Sequence, residues 1–224
     1  DGTANLDILD VDGAVNFAAD VTFADGADII TASAGTSNFR AGVNAGNSIA
    51  SGGNYNTVVG DEAGTAITTG DSNTLVGMRS GDALTTAQYN VAIGHDALTT
   101  SILGSRNIAI GANALYATNP ASAVDMYNIA IGHNTGSAIT TGVENTLIGA
   151  LAGDALTTGS QNVALGYLAL SSDDLGSDSV AIGKGALENQ NYTTATNSYN
   201  TAVGRDAGND ITTGIRDTLI GGLA

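Results

Sequence analysis

The side chains with the most scope for chemistry are neighbouring carboxylates and two histidines. Asp173-Asp174 is an acidic pair, and glycoside hydrolases use two carboxyl groups as acid and base. His95 and His133 each follow a glycine at the same point of a repeated phrase, where other copies carry Asp, Met, Ala, Tyr, Lys, Arg or Gly. Such free variation is typical of an outward-facing turn. The spacing assembles no Ser-His-Asp set, so we predict that the chain is not an enzyme and has no catalytic residues.

Turn residues are the other potential source of ligands, for a metal or a phosphate. The chain has 19 aspartates, a residue type that calcium sites use. It lacks the Gly-Gly-x-Gly-x-Asp signature of calcium-binding rolls, and its glycine-rich stretches lack the Lys-Ser/Thr ending of a phosphate loop. The absence of cysteine excludes disulfides and thiolate ligands. We therefore predict no bound metal and no cofactor.

One five-residue phrase, Asn-Val-Ala-Ile-Gly at 90–94, returns through almost the whole chain. Its closing glycine recurs with a 17-residue period, and a 21-residue interval follows every three regular ones, which gives a longer, 72-residue repeat. Fixed periods of this length indicate a solenoid. The repeat residues that we single out are Asn56 and Gly60, Asn73 and Gly77, Asn90 and Gly94, Asn107 and Gly111, Asn128 and Gly132, Asn145 and Gly149, Asn162 and Gly166, and Asn200 and Gly204.

The composition of the phrase predicts strands rather than helices. Its three middle positions are Thr, Val, Ile, Ala or Leu, and the one before the glycine is nearly always β-branched, so we expect it to face a core. Glycine supplies a turn or a close backbone approach. An Ala and a Leu or Ile follow it, and Thr-Thr-Gly often ends the coil. We predict coils of two strands of about four or five residues and two turns, stacked as a parallel β-roll or β-solenoid in an all-β rod.

The repeat also defines the organisation of the chain. Residues 1–37 do not follow the period and read as short strands joined by Asp-Gly turns, which we interpret as a leader or shaft. Residues 38–224 form the array, with 72-residue units at 55–126 and 127–198 and a truncated one at 199–224. The chain starts without Met and stops within a unit, so we expect it to be a fragment of a longer protein.

Charge and hydropathy limit the kinds of partner that the chain can bind. There are 22 acidic residues against 6 basic ones, a formal net charge of -16, which argues against binding nucleic acid or an anionic membrane. No apolar run approaches the ~20 residues that a membrane-spanning helix needs. Each full unit ends in a loop that is longer than those of its other coils, and such protrusions are where a rod can meet partners. Tyr116 and Tyr192 in these loops are candidate surface contacts.

Tyrosine recurs directly before the asparagine of the phrase. The four residues at this position are Tyr55, Tyr89, Tyr127 and Tyr199. Two interpretations stay open: the rings cap the apolar seam of the roll, or some of them contact a ligand.

The repeats resemble those of two related groups of proteins. Asn-Val-Ala-Ile-Gly followed by Ala-Leu is similar to the head repeat of trimeric autotransporter adhesins. Tyr-Asn-Thr-Ala-Val-Gly at 199–204 and Arg-Asn-Ile-Ala-Ile-Gly-Ala-Asn-Ala-Leu at 106–115 more closely resemble repeats of bacteriophage tail fibres and spikes, often found upstream of an endosialidase-type intramolecular chaperone. The resemblance covers 38–224. The 17-residue period is longer than that of the adhesin heads, which favours the viral fibre.

The resemblance implies a homotrimer of left-handed parallel β-rolls around a common axis. The function expected is that of a rigid virion fibre segment that presents or forms a surface for a host glycan or protein receptor. The alternative is a bacterial surface adhesin or extracellular filament on the same roll. Ice binding through the paired threonines is a third interpretation, although only one threonine of each pair can face outward from a strand.

Overall fold

The computed structural model describes residues 34–224, so most of the predicted leader at 1–37 lies outside the described part. The described residues are all β and turn, without a helix. In chain order the strands are β1 (Phe39–Ala41), β2 (Thr57–Val59), β3 (Thr74–Val76), β4 (Val91–Ile93), β5 (Gly104–Ser105), β6 (Ile108–Ile110), β7 (Val124–Asp125), β8 (Ile129–Ile131), β9 (Thr146–Ile148), β10 (Val163–Leu165), β11 (Gly176–Ser177), β12 (Val180–Ile182), β13 (Thr196–Asn197), β14 (Thr201–Val203) and β15 (Thr218–Ile220).

Every copy of the phrase contributes one strand to a single parallel sheet of eleven. Like residues pair with like: in β4 and β6, Val91 lies beside Ile108 and Ala92 beside Ala109. The register survives the longer interval between β6 and β8, because the extra residues are accommodated outside this sheet. The fold prediction is confirmed as a β-solenoid of about eleven turns. At about 4.8 Å between strands, the sheet is on the order of 50 Å long.

The strand faces differ from the sequence prediction. The middle residue of each strand from β2 to β14 in the large sheet is buried, while the first and third residues are partly exposed. The expectation that the residue before the glycine faces the core was therefore wrong. Side chains alternate along a strand, so only one of three consecutive apolar residues can point into a narrow coil. The other two form a second, outer apolar face.

The expectation of two longer strands per coil was also wrong. Each coil has one three-residue strand, and the return path is made of turns except for two short parallel pairs, β5 with β7 and β11 with β13. The cause is backbone conformation. After Gly94, for example, Asp96 and Leu98 have φ of 56° and 55°, in the left-handed region, where the chain cannot run extended.

Two kinds of coil alternate in pairs and account for the 72-residue repeat. In one kind, the fourth residue after the closing glycine is Gly and the seventh is Ile or Leu, as with Gly81 and Leu84. In the other, the fourth residue is Leu and the seventh is polar, as with Leu98 and Ser101. A Cβ on Gly81 would lie 2.8 Å from methyl groups of both Leu75 and Leu84, so the leucine and glycine coils fill the same core space from different positions.

Candidate interaction surfaces

The repeat asparagines are buried and hold the coils together. Asn90 Oδ1 accepts hydrogen bonds from the backbone N–H of Asn107 (2.9 Å) and from its Nδ2 (3.2 Å), and Asn90 Nδ2 donates to Gly104 O (3.0 Å). Comparable bonds link successive asparagines from Asn38 to Asn162. Each side chain satisfies backbone groups in its own coil and the next, so this ladder serves the architecture rather than a ligand.

The repeat glycines lie where neighbouring coils touch. A Cβ built on Gly77, for example, would stand 2.6 Å from Gly94 O, and Gly77 itself has φ of 133°. Both the conformation and the close approach therefore require glycine at this position.

The asparagine ladder breaks at Ser179, and a buried polar network repairs it. Gln190 Nε2 donates to Ser179 Oγ (2.9 Å) and to Asp173 Oδ2 (2.6 Å), while Gln190 Oε1 accepts from Asn200 Nδ2 (2.8 Å). Asp173 also accepts from the backbone N–H of Gly176. Burial raises the pKa of the Asp173 carboxyl, and hydrogen bonds from Gln190 and the backbone oppose that rise only in part. Sequence reasoning missed this network because its members come from different coils and share no motif.

Tyr192, predicted as a surface contact, is buried in this region. It is 5% exposed, and its hydroxyl donates to Gly214 O at 2.6 Å. Burial also raises the pKa of its hydroxyl. The prediction of an exposed ring was wrong because the loop of the second unit folds back over its coil. Tyr116, predicted from the same reasoning, is 41% exposed.

One exposed feature is the outer face of the eleven-stranded sheet. It consists of the first and third residues of every strand, almost all of them Thr, Val, Ile or Leu. Ile93 and Leu165 are 37% and 44% exposed on it. A strip of aliphatic and threonine side chains therefore runs along the sheet, and exposed apolar strips of this kind are typical of interaction surfaces.

A second exposed feature is a strip of tyrosine and arginine before the asparagines. The guanidinium of Arg106 lies 4.7 Å from the ring centroid of Tyr89 and 5.9 Å from that of Tyr127, and its Nε is 2.9 Å from Asp125 Oδ2. The three rings at Tyr55, Tyr89 and Tyr127 are 64%, 50% and 51% exposed. Each of these rings is therefore half or more exposed to solvent.

Two shallow grooves flank the first long loop. One, of about 360 Å³, lies at the end of the loop beside Asp125. The other, of about 460 Å³, lies at its start and is lined by Asp96, Asn113, Tyr116, Asn134, Ser137 and Ala138.

The two histidines considered for catalysis are not brought together. His95 Nδ1 lies 3.2 Å from Asp96 Oδ2, but this carboxylate is already held by Arg79 through two bonds of 2.6 and 2.8 Å. His133 lies in a separate coil. Among residues 34–224 no group of three or more His, Asp or Glu side chains is placed to hold a metal ion.

Threonine hydroxyls at the coil corners take part in stacking. Those of Thr68, Thr140 and Thr157 donate to carbonyl oxygens one coil away, at 3.1 to 3.2 Å. One threonine of each of these pairs is therefore committed to the array.

Comparison with protein-family models, with curated proteins and with solved structures finds no match to this chain. Within the described range, no helix is long and apolar enough to cross a membrane.

Proposed function

We propose that this chain is a rigid segment of a bacteriophage tail fibre, assembled as a homotrimer, that presents or forms a host-receptor-binding surface. The observation that carries the proposal is the outer apolar face of the sheet. The resemblance of the repeats to tail-fibre repeats adds the biological setting.

The physical case for a trimer starts from the length of that face. From β2 to β15 the third strand position is always Val, Ile or Leu and the first is Val, Ile or Thr, so a second copy placed alongside finds a similar pattern at every level. Burying apolar surface contributes roughly 25 cal/mol per Å². A narrow coil whose core is built largely from Ala and single Leu or Ile residues gains much of its stability in this way.

The charge balance suits the same role. A net charge of -16 keeps rods apart from one another outside the intended interface. None of the first and third strand residues that form the outer face is charged, and Arg40 of β1 is the central residue of its strand. Association therefore meets little electrostatic opposition along the face.

The experiment is the mass and frictional ratio of the protein by analytical ultracentrifugation. We expect a mass near three chains and an elongated shape. Ile93→Asp should release monomers, because three carboxylates would be brought together at one level of the interface. Ile102→Asp is the matched control, since Ile102 is 40% exposed outside the sheet. A wild-type monomer, or equal effects of the two substitutions, would contradict the proposal.

A further inference from the structure

The groove at the start of the first long loop has the dimensions of a small-molecule site. Its volume of about 460 Å³ falls within the ~300–1,000 Å³ common for ligand pockets. It lies open on the surface, bordered by the exposed ring of Tyr116 on one side and by polar side chains of three neighbouring coils on the other. It is separate from the outer apolar face, since none of its lining residues belongs to a strand.

The polar side chains of the groove are held in place and retain bonding capacity. Asn113 Nδ2 donates to Asn134 Oδ1 at 2.9 Å, which orients both amides. Within the described part of the chain, Asn113 Oδ1 and Asn134 Nδ2 make no other hydrogen bond, and neither does the hydroxyl of Tyr116. An acceptor and a donor thus line the same groove as an aromatic ring. Adjacent hydroxyls of a pyranose sugar can bond to one acceptor and one donor, and the C–H face of the sugar can pack on an aromatic ring.

The charge of the groove decides between ligand classes. Its one carboxylate, Asp96, is neutralised by the two bonds from Arg79, at 2.6 and 2.8 Å. No Lys or Arg is among the lining residues, so a phosphate, sulfate or carboxylate would find no countercharge. We propose that this groove binds one residue of a neutral glycan, with the ring stacked on Tyr116 and its hydroxyls bonded to Asn113 and Asn134.

The next junction, between the second and third units, lacks these groups at the equivalent positions. There Tyr116, Asn113 and Asn134 are matched by Glu188, Gly185 and Asp206. Glu188 accepts a hydrogen bond from Asn209 Nδ2 at 3.0 Å, which occupies it within its own loop. The glycan site therefore lies at the junction of the first and second units, and the junction of the second and third units supplies an internal control.

The test is saturation-transfer NMR on the purified, assembled chain with the methyl glycosides of glucose, galactose, mannose and N-acetylglucosamine, and with sialyllactose as the anionic probe. At least one neutral glycoside should receive saturation and sialic acid none. Tyr116→Glu, a residue that the second unit carries at this position, should weaken binding about three- to tenfold through loss of the aromatic contact. Asn134→Ala should weaken it as well, and Glu188→Ala should leave it unchanged.

The inference deepens the proposed receptor-binding role, and its failure can be told apart from failure of that role. Saturation of no neutral glycoside, saturation of the sialic acid alone, or an affinity that either groove substitution leaves unchanged would overturn the glycan site. Sedimentation of the same samples reports separately on the trimeric fibre. A trimer without sugar binding removes only the glycan site, whereas a sugar-binding monomer keeps the site and removes the fibre proposal.

Discussion

Position 77 requires glycine for two separate reasons. Its φ of 133° lies in the region that favours glycine, and a Cβ would stand 2.6 Å from Gly94 O in the next coil. Backbone strain of this kind costs on the order of 1–3 kcal/mol by itself. The contact with a backbone oxygen adds to it, because a carbonyl in a ladder cannot move without disturbing the neighbouring coil.

Gly77→Ala should therefore lower the melting temperature more than Gly52→Ala does. Gly52 has φ of 109° but its added Cβ would meet only Thr69, with Cγ2 at an ordinary 3.5 Å. The comparison separates the effect of backbone strain from that of the contact between the added Cβ and the next coil. The melting temperatures are measured by thermal unfolding followed by circular dichroism. Equal shifts for the two variants would show that the inter-coil contact is not limiting.

Asp173 should make stability depend on pH. Burial raises the pKa of its carboxyl, so the folded state favours the protonated form. Its contribution to the free energy of unfolding is therefore full below the ordinary aspartate pKa of about 3.9 and is lost as pH rises through the raised value. Relative to Asp173→Asn, the wild type should gain stability as pH falls from 7 towards 4.

The measurement is the difference in melting temperature between wild type and Asp173→Asn across that range. Asp210→Asn, at an exposed position, gives the background response. A difference that stays constant, or that moves against the wild type on acidification, would contradict the assignment of this carboxyl as buried and ionisable.

At the scale of the single coil, the two ways of filling the core, with Gly and Ile or with Leu and a polar residue, can be exchanged by substitution. Leu98→Gly should destabilise the fold by about 3 kcal/mol, because it empties the centre of its coil. Ser101→Ile alone should also destabilise it, by about 1–3 kcal/mol, since Leu98 already fills that space. The two changes together should recover most of the loss, because they recreate the coil of Ala130, Gly136 and Ile139.

This double substitution also removes a buried hydroxyl that lacks a hydrogen-bond partner in the described structure, Ser101 Oγ. Chemical denaturation of the two single variants and the double variant tests the coupling as a double-mutant cycle. Additive losses would mean that the two coil types are not interchangeable solutions to one packing problem.

Some features of the coil could be predicted from the sequence and others could not. The period and the parallel register follow from residue types that recur at fixed spacing. The second strand was predicted wrongly because Leu98, Leu115 and Leu170 adopt left-handed φ, a conformation that leucine gives no reason to expect. The exposed side of the strand was also misjudged, since three apolar residues in a row do not reveal which face is inside.

The candidate sites were harder to predict from the sequence than the fold. Tyr116 was predicted to be a surface contact and its ring is exposed, but the amides that share its groove come from other positions in the coils. Asn113 and Asn134 each stand two residues after the closing glycine of adjacent coils, and their amides meet as the side chains of Arg79 and Asp96 do at the same position. The network around Gln190 likewise depends on how one loop folds back.

For the whole molecule, the decisive property is that both the core and the outer face repeat along one axis. The sequence predicts that axis and its period. It does not specify how many copies share it, since the apolar face is built from the same residue types that fill a core. The oligomeric state depends on the surface between chains. Analytical ultracentrifugation determines it from the mass of the assembly.

The in-register ladder has a mechanical consequence. Its inter-strand hydrogen bonds run along the rod, so tension between the two ends loads successive coils in series. The end coil then peels first, and each release frees the contour of one coil. A freed coil extends to roughly 60 Å, against about 5 Å when stacked, so each event lengthens the tether by about 55 Å. Under load the rod would therefore act as an extensible shock absorber with evenly sized steps.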